Sequence, residues 1–168
     1  MKRFLKAALL FTMALMLLSA CSASVKEEQN GAKDAVSEGL KSGIKKANEQ
    51  NEDIEYYLPF GYEVKEEEPN NIILKNGSKT YILFYNQHEN PDSKVVYNAT
   101  IKQSEFNYNE TFEENGSFAF LLVKNTDDNM HELTVGVGGV KMTTQVKTKN
   151  LSAEAAAMIE MVRSVKMK

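Results

Sequence analysis

Few residues in this sequence combine the type and the spacing that chemistry requires. His88 and His131 are its two histidines. Neither has a second histidine or a cysteine at ligand spacing, which disfavours a zinc site of the clustered kind. Each reads as a solvent-exposed histidine of a loop or strand end. Glu66-Glu67-Glu68 and Glu113-Glu114 offer paired carboxylates, the groups a glycosidase uses. Consecutive charges beside turns are better read as solvated faces. Asn125, Asp127 and Asn129 start like a calcium loop, but Met130 stands where that loop needs glycine and Gly136 where it needs a bidentate glutamate. Gly136-Val137-Gly138-Gly139 lacks the spacing of a phosphate-binding loop and fits a hairpin. Gly-x-Ser-x-Gly is absent. Asn98-Ala99-Thr100 and Asn109-Glu110-Thr111 fit the glycosylation sequon, read here as chance. Tyr56, Tyr57, Phe60 and Tyr62 gather around Pro59, and Tyr81, Tyr85 and Tyr97 fall on expected strands. Such aromatics can form a binding patch or a core. The expectation is a domain with no catalytic residue, metal ligand or cofactor.

Cys21 is the only cysteine in the 168 residues, so nothing in the chain can pair with it. The segment before it has three zones. Lys2, Arg3 and Lys6 make a basic start. Ala7 to Leu18 is apolar apart from Thr12. Leu18-Ser19-Ala20 closes with small residues. These are the parts of a secretory signal, and the apolar run is shorter than the ~20 residues a spanning helix needs. Leu18-Ser19-Ala20-Cys21 resembles the lipobox of bacterial lipoproteins. The resemblance covers the first 21 residues. It implies removal of residues 1–20 and a diacylglyceryl group on the Cys21 sulfur. Cys21 would then be the anchor, which excludes a Cys–His catalytic pair. The chain also resembles small acidic, Lys- and Asn-rich lipoproteins of Gram-positive spore-formers, which sit on the outer leaflet of the cell membrane. In a Gram-negative host, Ser22 would not resemble the inner-membrane retention signal, and the outer membrane would follow.

Composition limits the partners. Loss of Lys2, Arg3 and Lys6 with the signal turns 20 basic residues into 17 against 23 acidic ones, a net charge of −6. That sign opposes nucleic acid binding and broad adhesion to anionic lipid. Without disulfides, the domain must be held by its core.

Beyond the signal, residues 21–31 read as a lipidated flexible tether. Residues 32–52 read as an amphipathic helix or stalk, with Ala32, Val36, Leu40, Ile44 and Ala47 in one stripe. Gly39 and Gly43 weaken it, and the expectation is a solvated stalk. Residues 53–168 read as the globular domain, 116 residues long and large enough for one core. Asn76-Gly77 and Asn115-Gly116 mark hairpins. Val95, Tyr97, Ala99 and Ile101 alternate as a strand would, and Phe106, Tyr108 and Phe112, at even spacing among themselves nearby, could continue a strand.

Leu133, Val135 and Val137 alternate toward Gly138-Gly139, and Val140, Met142, Thr144 and Val146 alternate away. A two-residue turn pairs Val137 with Val140 and Val135 with Met142. Thr134, Lys141, Thr143, Gln145 and Lys147 then face water. Ser152 reads as the N-cap of a last helix with Ala155, Met158, Ile159 and Val162 on its apolar stripe. A short strand follows within 164–167.

These readings give an α+β fold: an antiparallel meandering sheet covered by a C-terminal helix and preceded by an N-terminal helix or stalk. The arrangement loosely resembles PsbP-like domains found in bacterial lipoproteins. The expected function is that of a membrane-anchored, extracytoplasmic, non-enzymatic adaptor that binds another envelope component. A small-ligand-binding lipoprotein is the alternative, and a cell-wall hydrolase the weakest reading.

Overall fold

The computed structural model describes residues 24–168. The expected signal, Leu18, Ser19, Ala20 and Cys21 lie outside the described residues. Among the described residues, no helix is long and apolar enough to cross a membrane.

Helix α1 spans Val25–Lys41. The Ser24 hydroxyl accepts from the Glu27 amide at 3.2 Å, and the Glu27 carboxylate accepts from the Ser24 amide at 2.9 Å. This reciprocal capping satisfies two amides that the helix itself leaves unpaired. The tether expected over 21–31 is therefore helical from Val25 onward, and the helix expected over 32–52 ends at Lys41. Lys26 to Asn30 are polar, but a helix can turn such residues to solvent, so polarity did not mean a free tether. Nor is α1 a solvated stalk. Ala32, Val36 and Leu40 are buried, while Ile44 lies past the helix end and is exposed. Burial of Val36 and Leu40 contributes roughly 1.5–3 kcal/mol each.

Ten strands follow. β1 (Glu49–Gln50), β2 (Ile54–Tyr56) and β10 (Lys166–Met167) form a small sheet in the order β1-β2-β10. β3 (Glu63–Glu68), β4 (Asn71–Asn76), β5 (Lys79–Tyr85), β6 (Tyr108–Glu114), β7 (Ser117–Asp127), β8 (Met130–Val137) and β9 (Val140–Lys147) form the main sheet. Its order is β3-β4-β5-β9-β8-β7-β6, and every pairing is antiparallel. The last hairpin has the expected register, with Val137 opposite Val140 and Val135 opposite Met142. Asn115 and Gly116 form the β6–β7 turn, both at positive φ, as a type I′ turn requires. The earlier turn is shifted by one residue. Asn76 pairs with Lys79, so Gly77 and Ser78 make the turn. Only Gly77 has positive φ there, which fits a type II′ turn with glycine first.

A 3₁₀ turn, Thr148–Asn150, leads into helix α3 (Leu151–Ser164). Asn150 is the residue before the helix, so Ser152 is inside it rather than its cap. Ala155, Met158, Ile159 and Val162 are all buried, as their spacing requires. α1 and α3 lie side by side over one face of the sheet. A Cβ on Gly39 would stand 2.4 Å from Ile159 Cγ2. The glycine that weakens α1 is thus the one that lets α3 approach.

Two expectations fail together on the opposite face. Val95–Gln103 is a helix, α2, not a strand. Val96 and Thr100 are buried, with Tyr97 and Ile101 partly so. That is an i, i+1, i+4, i+5 stripe, the helical phase of the residues read as alternating. This face of the sheet is therefore not simply wet. Phe118, Phe120 and Leu122 of β7 form a second buried cluster with Val96, packed against Phe84, Tyr97, Ile101 and Phe106. Thr134 is buried as well.

Candidate functional site

The covering by α2 is incomplete, and what it leaves open is a groove. The cavity is about 310 Å³ and runs between the end of α2 and the outer face of β5, β9 and β8. Strand alternation sets its floor. Ile82 and Phe84 come from β5, Lys141 and Thr143 from β9, Thr134 and Glu132 from β8. Thr100, Gln103, Ser104 and Phe106 close it from α2 and the loop after it. Register aligns these groups: Phe84 lies opposite Lys141, Ile82 opposite Thr143, and Thr143 opposite Thr134.

Position 136 sits beside Lys141 beneath α2. Gly136 of β8 lies opposite Lys141 on β9 and Phe120 on β7. A Cβ there would stand 2.1 Å from the Phe120 ring. Glycine lets Phe120 lie across the strand and fill the space under α2.

The polar groups are ordered by a short chain of hydrogen bonds. Thr100 Oγ1 donates to the Val96 carbonyl at 2.7 Å, which turns its lone pairs outward. Lys141 Nζ donates to Thr100 Oγ1 at 3.0 Å and lies 5.7 Å from the centre of the Phe84 ring. Burial pushes the Lys141 ammonium below its ordinary pKa, and the charge of Glu132 partly offsets this. Thr134 and Thr143 share a hydrogen bond at 2.9 Å. The arrangement can hold a ligand by charge, hydroxyl and apolar contact.

The other candidates are scattered. His88 is exposed, as expected. His131 is not: it is 1% exposed. Its Nδ1 lies 2.8 Å from Asn125 Oδ1 and its Nε2 2.8 Å from Thr148 Oγ1. With the Asn125 oxygen as acceptor, the neutral ring carries its proton on Nδ1 and Nε2 accepts from Thr148. Burial lowers its pKa. His131 therefore ties the β7–β8 hairpin to the turn before α3. Its position on a strand signalled this only through alternation with Leu133 and Val135.

Glu66, Glu67 and Glu68 lie on β3, exposed along its whole length at the sheet edge. Glu113 and Glu114 are neighbours on edge strand β6, so their side chains point to opposite faces. Glu113 accepts from Lys94 at 2.9 Å, and that bond and charge hold its carboxyl below the usual range. A general acid needs the opposite shift. A hollow of about 400 Å³ beside them contains this already paired cation. Among the described residues, no group of three His, Cys, Asp or Glu side chains is placed to hold a metal ion.

Of the aromatics, Tyr56, Tyr81 and Tyr85 belong to the core, whereas Phe60 is fully exposed. Tyr97 packs edge-on against Phe118. Asn98 is on α2, and Asn109 on β6 donates to the Tyr97 hydroxyl at 3.0 Å. A further buried carboxylate, Glu154, accepts from Tyr81 Oη at 2.7 Å and pairs with Lys79. It braces α3 against β5.

The groove residues escaped the sequence reading because Lys141, Thr134 and Thr143 looked like an ordinary wet face. The signal that opposed this was the unbroken apolar run Phe118 to Val123. A strand apolar on both faces has a cover on each. Neither protein-family models nor curated proteins give a significant match to this chain.

Proposed function

We propose that this chain is a lipoprotein held on the extracytoplasmic face of a membrane by lipid on Cys21, and that its domain is a non-enzymatic adaptor for another envelope component. The observation that carries this reading is where the folded body begins. Ser24 caps α1, only three positions after Cys21. α1 is packed along α3 and the sheet rather than free. A lipid on Cys21 would therefore hold the domain close to the membrane, within reach of membrane-bound partners. Two acyl chains suffice for stable attachment, at about 0.8 kcal/mol per buried CH₂. The groove lies on the sheet face opposite α1 and α3.

In-cell crosslinking of tagged wild-type protein, with Cys21→Ala as control, tests the adaptor role. The expected result is one abundant membrane partner that the control loses. Capture of the same partner by wild type and control alike would show that placement at the membrane does not matter.

A second reading, a small-ligand-binding lipoprotein, is favoured by the groove itself. Its volume is at the lower end of small-molecule sites, and it combines apolar walls with a few convergent polar groups. A hydrolase built on Glu113 and Glu114 has no support in their geometry.

A further inference from the structure

We infer that the groove between α2 and the sheet is a binding site for a small monocarboxylate with a compact apolar body, seated with its carboxylate on Lys141. This deepens the small-ligand reading and rests on it.

The first argument is an incompletely satisfied cation. An ammonium has three donors. One Lys141 donor goes to Thr100 Oγ1, a neutral acceptor. The described residues form four ion pairs, through Lys33, Lys45, Lys79 and Lys94. Lys141 is in none of them: Glu132, in the same groove, supports its charge without forming an ion pair, and α2 and Phe84 shield it from part of the solvent. A partly desolvated cation facing a cavity favours an anion there, because charge-assisted hydrogen bonds are the strong ones.

The second argument concerns the kind of anion. In the Thr134–Thr143 pair one hydroxyl donates to the other, so one hydroxyl proton is left for a ligand oxygen. Planar carboxylate oxygens suit one ammonium and one hydroxyl. Glu132 limits the charge. On β8 it stands four residues from Gly136, the partner of Lys141, roughly 13 Å along the backbone, and its carboxylate charge already acts on the ammonium. A second negative group at that end would meet its carboxylate. The walls limit the body, since Ile82, Phe84 and Phe106 supply apolar surface and the cavity is only about 310 Å³.

The test is an NMR titration of the full mature chain in nonionic detergent. Benzoate and hexanoate are the probes, benzamide and hexanamide their neutral counterparts, and benzylamine the cation. The expected result is saturable shifts of the Thr100, Thr134, Lys141 and Thr143 amides with at least one carboxylate and none with its amide. Lys141→Met should weaken that binding roughly tenfold or more, while Lys141→Arg, which keeps the charge, should largely retain it. Absence of saturable binding by both carboxylates would overturn the inference. So would preference for benzylamine, or unchanged binding to a folded Lys141→Met variant. If Lys141→Met does not fold, the contrast between carboxylate and amide on the unaltered protein decides. A negative titration would remove this ligand and leave the membrane-held adaptor untouched, because crosslinking scores that separately.

Discussion

His131 shows how one buried side chain can make the fold sensitive to pH. Its ring is enclosed and bonded on both nitrogens, and desolvation lowers its pKa from the ordinary imidazole value of about 6.5. The folded protein therefore holds this proton less tightly than the unfolded chain does. As pH falls through about 6.5, the unfolded state takes up the proton first and stability declines. Above that pH the neutral ring's contribution is fully present. Melting temperatures of wild type and His131→Gln between pH 7.5 and 5.5 should show a fall in wild type that the variant lacks. Parallel curves would remove His131 as the cause. Gly136 makes a separate point about packing. Gly136→Ala should destabilise by about 1–3 kcal/mol, the usual cost of overpacking, because the new methyl meets the Phe120 ring. Denaturant titration measures this. A neutral result would mean that the Phe120 ring gives way freely.

At the scale of elements, the contact between α1 and α3 can be probed at Gly39. In an exposed helix, alanine in place of glycine stabilises by up to about 1 kcal/mol. Here the added methyl meets Ile159 at 2.4 Å, so Gly39→Ala should destabilise instead, by about 1 kcal/mol or more. A stabilised variant in thermal denaturation would mean that α1 is loosely held. The same residue shows what the sequence could reveal. Propensity marked Gly39 as a weakness in a helix, and only a neighbouring helix explains why glycine stands there. Elements with strong local codes were legible: the Gly138-Gly139 hairpin, the stripe of α3, and the Asn115-Gly116 turn. Elements that depend on tertiary cover were not. Val95 to Ile101 supports both a two-residue and a helical period, and the Phe118 cluster decides for helix. The groove was illegible for the same reason, because Lys141 and Thr134 look wet until α2 is placed over them.

At the scale of the molecule, the arrangement is a sheet clamped between two helices on one face and a short helix on the other. Both ends of the described residues take part in the clamp. α1 lies against α3, and β10 closes the small sheet with β2. The net charge of −6 for the chain from Cys21, the 17 basic residues against 23 acidic ones left once Lys2, Arg3 and Lys6 are gone, gives the domain no general affinity for anionic lipid. Under the proposed anchorage, its place at a membrane would depend on Cys21. Fractionation and intact mass measurement of wild type and Cys21→Ala test this most directly. The wild-type chain should be found in membranes, begin at Cys21 and carry the added mass of two acyl chains and their glyceryl link. Cys21→Ala should be soluble or retain residues 1–20. A Cys21→Ala protein that is cut at the same bond and remains in the membrane would contradict the account.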